Sequence, residues 1–314
     1  MTTPPLRALS NYGQVIAALL LFAAAALTEP AFLTRFNLTG IAFQYSVIGL
    51  IALGQLPVIL TACIDLSQGS AIAIAAVVLA LTAPVLGLAG ASVLAILAGG
   101  AVGAVNGLLV SFTRIPAFVV TLGTMSVGRG LALTLSSGQP IPVRDPAFMN
   151  LVRLRFFDVP GTFLVFLFGA GLLALLLAQW PVGRAVYAVG GHEENARLTG
   201  LNVPKVKILV YVLSGLTAGL AGVLLTSRLG TGHPLSGTGY ELISISAVII
   251  GGASLFGGIG RVSGVVAGVL LLGILDSMIN LSGTSPYLQG TIKGVVVLAA
   301  LAFSQWNLSR AAAR

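Results

Sequence analysis

The chain has 314 residues, of which 57% are apolar, 8% are Asp, Glu, Lys or Arg, and 40 are glycine. Soluble globular domains carry about 25% charged residues, so that class is excluded. The net charge of +8 comes from basic residues scattered singly between apolar runs, which is how loop charges orient a membrane protein and not how a nucleic-acid-binding patch is built.

Residues 162–178 and 262–275 are apolar on every face, where a β-barrel would alternate. The predicted fold is therefore all-α: one transmembrane domain over 1–314, a polytopic helical bundle set in the lipid bilayer. Cys63 is the sole cysteine, which rules out an internal disulfide and a cysteine-based metal site. No metal, cofactor, catalytic residue or nucleic-acid partner is expected.

The first apolar run, 12–28, follows Arg7 and ends at Thr28-Glu29-Pro30. A single Arg and two prolines ahead of it make a retained span the better expectation than a cleaved leader. Further runs fall at 41–63, 69–88, 91–112 and 116–135, with breaks at Asp65-Leu66-Ser67, Gly90 and Arg114-Ile115-Pro116. A polar segment, 136–160, carries Arg144, Asp145, Arg153, Arg155 and Asp158. Runs at 161–180, 208–228, 242–259, 262–281 and 288–306 complete about ten spans, two of them short or broken by glycine.

With both termini cytoplasmic, the inner segments hold Arg7, Arg114, Arg184, Arg197, Lys205, Lys207, Arg261, Arg310 and Arg314. The outer segments hold Arg35, Arg144, Arg153, Arg155 and Arg228. Nine against five favours that orientation, with the arginines of 136–160 as its weakest point.

Glycines recur every four residues at Gly99, Gly103 and Gly107, at Gly260, Gly264 and Gly268, and at Gly215 and Gly219. Lipid gives helices no hydrophobic drive to associate, so such rows are read as packing faces inside one subunit, with a dimer seam as the alternative. Arg129, Asp276 and Lys293 are charges within spans, each costing at least about 2.5–3.5 kcal/mol at the bilayer centre unless it faces protein, water or an interface. An Asp276–Lys293 ion pair is one way to meet that requirement.

Three segments are too polar for a span. Ile64-Asp65-Leu66-Ser67-Gln68-Gly69-Ser70 predicts a helix break and restart, with Asp65 or Ser67 capping the helix that begins near Gly69. Broken helices persist at depth only where buried in protein or lining a cavity; a capping turn at the membrane surface is the alternative. Gly237-Thr238-Gly239-Tyr240-Glu241-Leu242 heads a second run of small and β-branched residues. Asp65-Leu66 and Glu241-Leu242 thus suggest an internal, inverted pseudo-repeat bracketing a translocation path; chance resemblance is the alternative.

The third segment, 182–207, reads VGRAVYAVGGHEENARLTGLNVPKVK. Gly190-Gly191 ends one element, Glu193 and Glu194 open a short helix, Arg197 lies near its end and Gly200 terminates it, so both charges suit the helix dipole. Such a helix on the cytoplasmic side could dock into a partner; a solvated loop is the alternative. His192 and His233 fall in loops, and no proton relay is expected of them.

Together these segments resemble the permease subunits of ABC importers for ribose and related sugars. The resemblance runs from about Phe36 to Ala300. ALGQLPVILTACIDLSQGS (52–70), IPAFVVTLGTMSVGRG (115–130), AVGGHEENARLTGLNVPKVK (188–207) and GTGYELISISAVIIGGASLFGGIGRVSG (237–264) carry it.

The resemblance implies a bacterial cytoplasmic-membrane protein that works with cytoplasmic ATPase subunits, a second permease copy, identical or paralogous, and a periplasmic or lipid-anchored sugar-binding protein. It implies that 191–201 is the coupling element, with Glu193, Glu194, Arg197, Leu198 and Gly200 at the ATPase. It also places the broken segments near the substrate path, which is assigned to Gln44, Asp65, Ser67, Asn106, Thr121 and Glu241. The chain departs from the usual pattern at Ala62-Cys63, where a Gly-containing pair is common, at His192, where Asn is common, at Ile243, and at Asp276-Ser277-Met278. These departures leave the particular sugar open.

ATP hydrolysis is assigned to a separate chain, because no GxxxxGK[ST] phosphate loop is present. An ion-coupled secondary transporter would want paired midplane acids, and an intramembrane enzyme would want clustered catalytic side chains. A permease for a nucleoside or other solute remains the alternative cargo, and an exporter the alternative direction.

Overall fold

The computed structural model describes residues 4–157 and 159–283, with side chains from residue 13 onward, and the isolated positions 285, 288, 290, 291, 294 and 295. Most of the run expected at 288–306 lies outside the described residues, as does Lys293 with its suggested pairing to Asp276. The helices are α1 (Pro4–Thr28), α2 (Arg35–Leu60), α3 (Gln68–Phe112), α4 (Ala117–Leu135), α5 (Pro146–Leu151), α6 (Gly161–Gln179), α7 (Pro181–Gly191), α8 (Glu193–Leu198), α9 (Val203–Leu229), α10 (Tyr240–Ile250) and α11 (Val262–Leu281). Four two-residue strands, β1 (Ile141–Pro142), β2 (Arg155–Phe156), β3 (Val159–Pro160) and β4 (Thr231–Gly232), pair as β1–β4 and β2–β3. Among the described residues, α2, α3, α4, α6, α9 and α11 are long and apolar enough to cross a membrane.

Helix α3 has 45 residues, about 68 Å if straight and twice the hydrocarbon core. It is bent back on itself at Gly87, whose φ of +66° and ψ of 167° are not helical. The proof is at its ends: Asn106 Nδ2 donates to Ser67 Oγ at 2.7 Å, whereas a straight helix would hold those residues roughly 58 Å apart. The two arms are therefore antiparallel and correspond to the runs at 69–88 and 91–112, with the turn at Gly87 instead of Gly90. Ala75, Leu79 and Ala80 pack on Ala91 and Ala95 between them.

The run at 242–259 is not a full span. Helix α10 has 11 residues, about 16 Å, roughly half the hydrocarbon core. The irregular stretch after it holds Gly252, Gly257 and Gly258 at positive φ, and Gly257 and Gly258 press on the backbone of Gly190 and Gly191.

Backbone contact explains the glycine rows. A Cβ at Gly99 would run into Gly215 O and Gly219 Cα, one at Gly103 into Tyr211 O, and one at Gly107 into Ile208 Cα. Similarly Gly264 meets Gly251 and Gly268 meets Ala247. Both rows lie within one subunit, between α3 and α9 and between α10 and α11. Gly260 precedes α11 and packs against Ala253 and Leu56.

Helices α2 and α9 run antiparallel, since Gly54 faces Ser214 and Thr217 while Gln44 bonds Arg228. Each is followed by a largely irregular segment, 61–67 or 230–239, and then by a helix that starts inside the bundle. The two starts meet: Gly69 in the first turn of α3 lies against the Glu241 carboxyl in the first turn of α10. The two acidic motifs thus stand at matching places, each between a long helix and one that starts inside the bundle.

Candidate translocation and coupling sites

Where α2 breaks, backbone groups that a helix would pair internally are exposed at depth, and polar side chains must meet them. Asp65 does most of this. Its Oδ1 accepts from the Ser67 amide at 2.9 Å and the Ser67 hydroxyl at 2.7 Å, and its Oδ2 from Ser214 Oγ at 2.7 Å. The expected helix cap is thus realised one step earlier, as a turn stabilised by Asp65, and Ser67 makes no side-chain cap to α3.

Gln68 ties the halves together. Its Nε2 donates to Ile51 O and to Ser214 Oγ, both at 2.9 Å, and its Oε1 accepts from Ser244 Oγ on α10 at 2.9 Å. Gln55, with its carboxamide oriented by these bonds, accepts from the Asp65 amide at 3.1 Å and donates to Asp65 O and Gln68 Oε1 at 3.2 Å. Asn106 Oδ1 accepts from Thr124 Oγ1 at 2.6 Å, and Thr121 Oγ1 reaches Ile64 O at 3.3 Å. Gln55, Asp65, Ser67, Gln68, Asn106, Thr121, Ser214 and Ser244 are all buried.

Of the residues assigned to a path, Asp65, Ser67, Asn106 and Thr121 therefore share one closed polar junction. Glu241 sits across Gly69 from it. Its Oε1 accepts from the Gly239 amide at 3.2 Å, and its Oε2 has no hydrogen-bond partner among the described residues. Arg129 on α4 reaches the same place, donating to Pro234 O, Ser236 O and Gly69 O at 2.8, 3.0 and 3.2 Å. Gln44 stands apart, donating to Tyr240 Oη at 2.8 Å and accepting from Arg228, whose guanidinium lies 4.1 Å from the Phe43 ring centroid. Asp276 bonds the Tyr45 hydroxyl on α2, and neighbouring Ser277 bonds Asn37 at 2.9 Å.

Sequence reasoning missed Gln68, Ser214, Ser244 and Thr124 as junction members. Gln68 lies inside the polar segment 64–70, and Ser214, Ser244 and Thr124 are single hydroxyl groups of a kind that needs partners in lipid.

The segment 182–207 folds as read. Helix α7 ends at Gly191, α8 spans Glu193–Leu198, and Gly200 takes φ +86°. His192 is the N-cap, its Nδ1 accepting from the Asn195 amide at 3.3 Å, which is the capping role open to Asn at that position. His233 makes a similar local bond to the Leu235 amide at 3.0 Å.

Four of the five predicted residues lie within α8, with Gly200 just beyond it, and those four divide. Glu194 and Arg197 pair at 2.8 Å with both side chains more than half exposed, and Leu198 is 76% exposed. The Glu194 carboxylate holds the Arg197 guanidinium above its usual range. Glu193 turns toward α9 and bonds Lys207, while Ala196 anchors the helix on Val189 and Val203.

A family model described as branched-chain amino acid transport system / permease component matches residues 37–301. The L-arabinose transport system permease protein AraH of Escherichia coli is 38% identical over 301 residues, 95% of this chain and 91% of its own. The ribose import permease protein RbsC of the same bacterium is 41% identical over 297 residues, 91% of each chain. Its D-allose transport system permease protein AlsC is 37% identical over 281 residues, 89% of this chain and 86% of its own. No solved structure matches significantly. Identity at this level over nearly the whole length of each relative, with the family model covering 37–301, makes this chain a member of the branched-chain amino acid transport system / permease component family.

Proposed function

We propose that this chain is the membrane-spanning permease subunit of a bacterial ABC importer that carries a neutral sugar across the cytoplasmic membrane. The observation that carries the reading is that relatives 37–41% identical over most of the chain are permeases for L-arabinose, ribose and D-allose.

The chemistry of the junction supports a polyol. It consists of amides, hydroxyls and one carboxyl group, each able to trade a hydrogen bond with a sugar hydroxyl. An amino-acid cargo, as the family's description would suggest, brings a carboxylate and an ammonium that need fixed opposite charges. Here three of the Arg129 donors are taken up by carbonyls, and both Asp65 oxygens by neighbouring hydroxyls and amides, with one Glu241 carboxyl oxygen left open among the described residues.

The substrate path runs past Gln44, Asp65, Ser67, Asn106, Thr121 and Glu241 once the junction opens. Energy comes from ATP hydrolysed on a separate subunit, received through α8 at Glu194, Arg197 and Leu198, with Glu193 and Gly200 fixing the helix. A second permease copy and a sugar-binding protein complete the assembly. Motor movement shifts the balance between inward-open and outward-open states, each stabilised by its own contacts.

The test is uptake of labelled L-arabinose, D-ribose, D-allose and leucine into vesicles holding the chain with its ATPase and binding protein. ATP-dependent uptake of one of the sugars is expected. Uptake of leucine alone, or ion-driven uptake by the lone chain, would overturn the reading.

A further inference from the structure

Glu193 and Lys207 lie 14 residues apart in sequence, on α8 and in the first turns of α9. The Lys207 ammonium donates to both carboxylate oxygens of Glu193, at 2.9 and 2.8 Å. Only 12% of the lysine side chain is exposed, against 56% for the glutamate. This is a two-point attachment with one partner embedded in the bundle, unlike the open Glu194–Arg197 pair, which stays within α8.

The same two residues form one wall of a cleft of about 440 Å³. Its other walls are residues 61–64 at the end of α2, residues 113–116 between α3 and α4, and the start of α4. Ile64 stands between this space and the polar junction: its carbonyl accepts from Tyr211 at 3.1 Å and Thr121 at 3.3 Å, and Asp65 follows it. The cleft therefore extends from the coupling helix to the underside of the junction. Its volume is within the roughly 300–1,000 Å³ of small-molecule sites. Thr113, Arg114, Glu193 and Lys207 give its walls groups that bond hydroxyls, and Phe118 gives an aromatic surface.

Resting on the sugar-importer reading, we propose that this cleft is the inner chamber through which the polyol leaves, and that Lys207 is a positioning residue fastening its wall to α8. Displacement of α8 by the motor then moves the start of α9 directly and reshapes the chamber. The apolar contact of Ala196 with Val203 makes the two helices travel as one body, and the ion pair fixes their angle.

The test is thiol labelling from the cytoplasmic side of inverted vesicles holding the assembled transporter. Cys63→Ser removes the native thiol, and Thr113→Cys places a new one in the chamber. A membrane-impermeant maleimide is expected to label it at rates differing at least about fivefold between the nucleotide-free and ATP–vanadate states. The sugar found to be imported should slow labelling in the faster state. Lys207→Met should bring the two rates together, and the exchange Glu193→Lys with Lys207→Glu should separate them again.

Equal nucleotide dependence in Lys207→Met, no recovery in the exchange, or no protection by the sugar would overturn the proposal. If the Cys63→Ser chain does not assemble, sugar imported per ATP hydrolysed decides in the Cys63 background: a fall in Lys207→Met with recovery in the exchange supports it, and an unchanged ratio overturns it. Failure of the importer reading is read separately, as absence of ATP-dependent sugar uptake by the unaltered chain.

Discussion

Ser214 Oγ donates to Asp65 Oδ2 at 2.7 Å across 149 residues of sequence, and the same hydroxyl accepts from Gln68 Nε2 at 2.9 Å. One serine thus serves the break after α2 and the first turn of α3. Ser214→Ala leaves a carboxyl oxygen and an amide hydrogen buried without that partner, a loss of about 1–3 kcal/mol. The thermal midpoint of the detergent-solubilised protein should drop accordingly, and an unchanged midpoint would count against the junction as a structural keystone.

The glycine row on the second arm of α3 lets two backbones touch. A Cβ at Gly103 collides with Tyr211 O, whereas one at Gly123 meets nothing within 4 Å. Gly103→Ala should therefore reduce folded yield and lower stability by about 1–3 kcal/mol, while Gly123→Ala leaves both unaltered. Size-exclusion profiles of the two variants give the comparison, and equal behaviour would refute the close-packing account.

Ala62 adopts φ +58°, a left-handed conformation that suits glycine better than any residue with a Cβ. The family resemblance has a Gly-containing pair at Ala62-Cys63, so this chain carries strain there. Ala62→Gly should relieve about 1 kcal/mol and raise the midpoint by about 2 °C. A lower midpoint would mean that the Ala62 methyl, close to Gly257, contributes more packing than it stores strain.

On the outward face of α8, Glu194→Arg and Arg197→Glu reverse charges that are largely in solvent. Stability should stay close to that of the parent. ATP-driven uptake should fall at least tenfold, a change in coupling of about 1.4 kcal/mol, while ATP hydrolysis by the partner continues. Parental uptake in both single variants would remove the docking role from this face.

Much of the architecture could be read from sequence because lipid makes apolarity a reliable signal. The breaks at Asp65 and Glu241, the paired arms of α3 and the capped helix at Glu193–Leu198 all stood out as polar or glycine-rich interruptions. The half-length α10 was hidden, since Gly251 to Ile259 is as apolar as a span but bends at three positive-φ glycines. The junction was half visible for a different reason. Asp65 and Asn106 are conspicuous alone, whereas Ser214 and Ser244 gain meaning only from partners brought beside them by the packing of α9 and α10 on the start of α3. Lys207 likewise read as a loop charge until the fold set it against Glu193.

The separation between Asp65 and Ser214 also has a consequence for synthesis. At about 5–20 residues per second, the ribosome needs roughly 7–30 s to deliver Ser214 after Asp65 has emerged, and Ser244 follows later still. Throughout that interval the nascent N-terminal half holds a carboxyl group without its final partner. Membrane insertion must shelter it, and chains halted before α9 are natural targets for quality-control proteolysis.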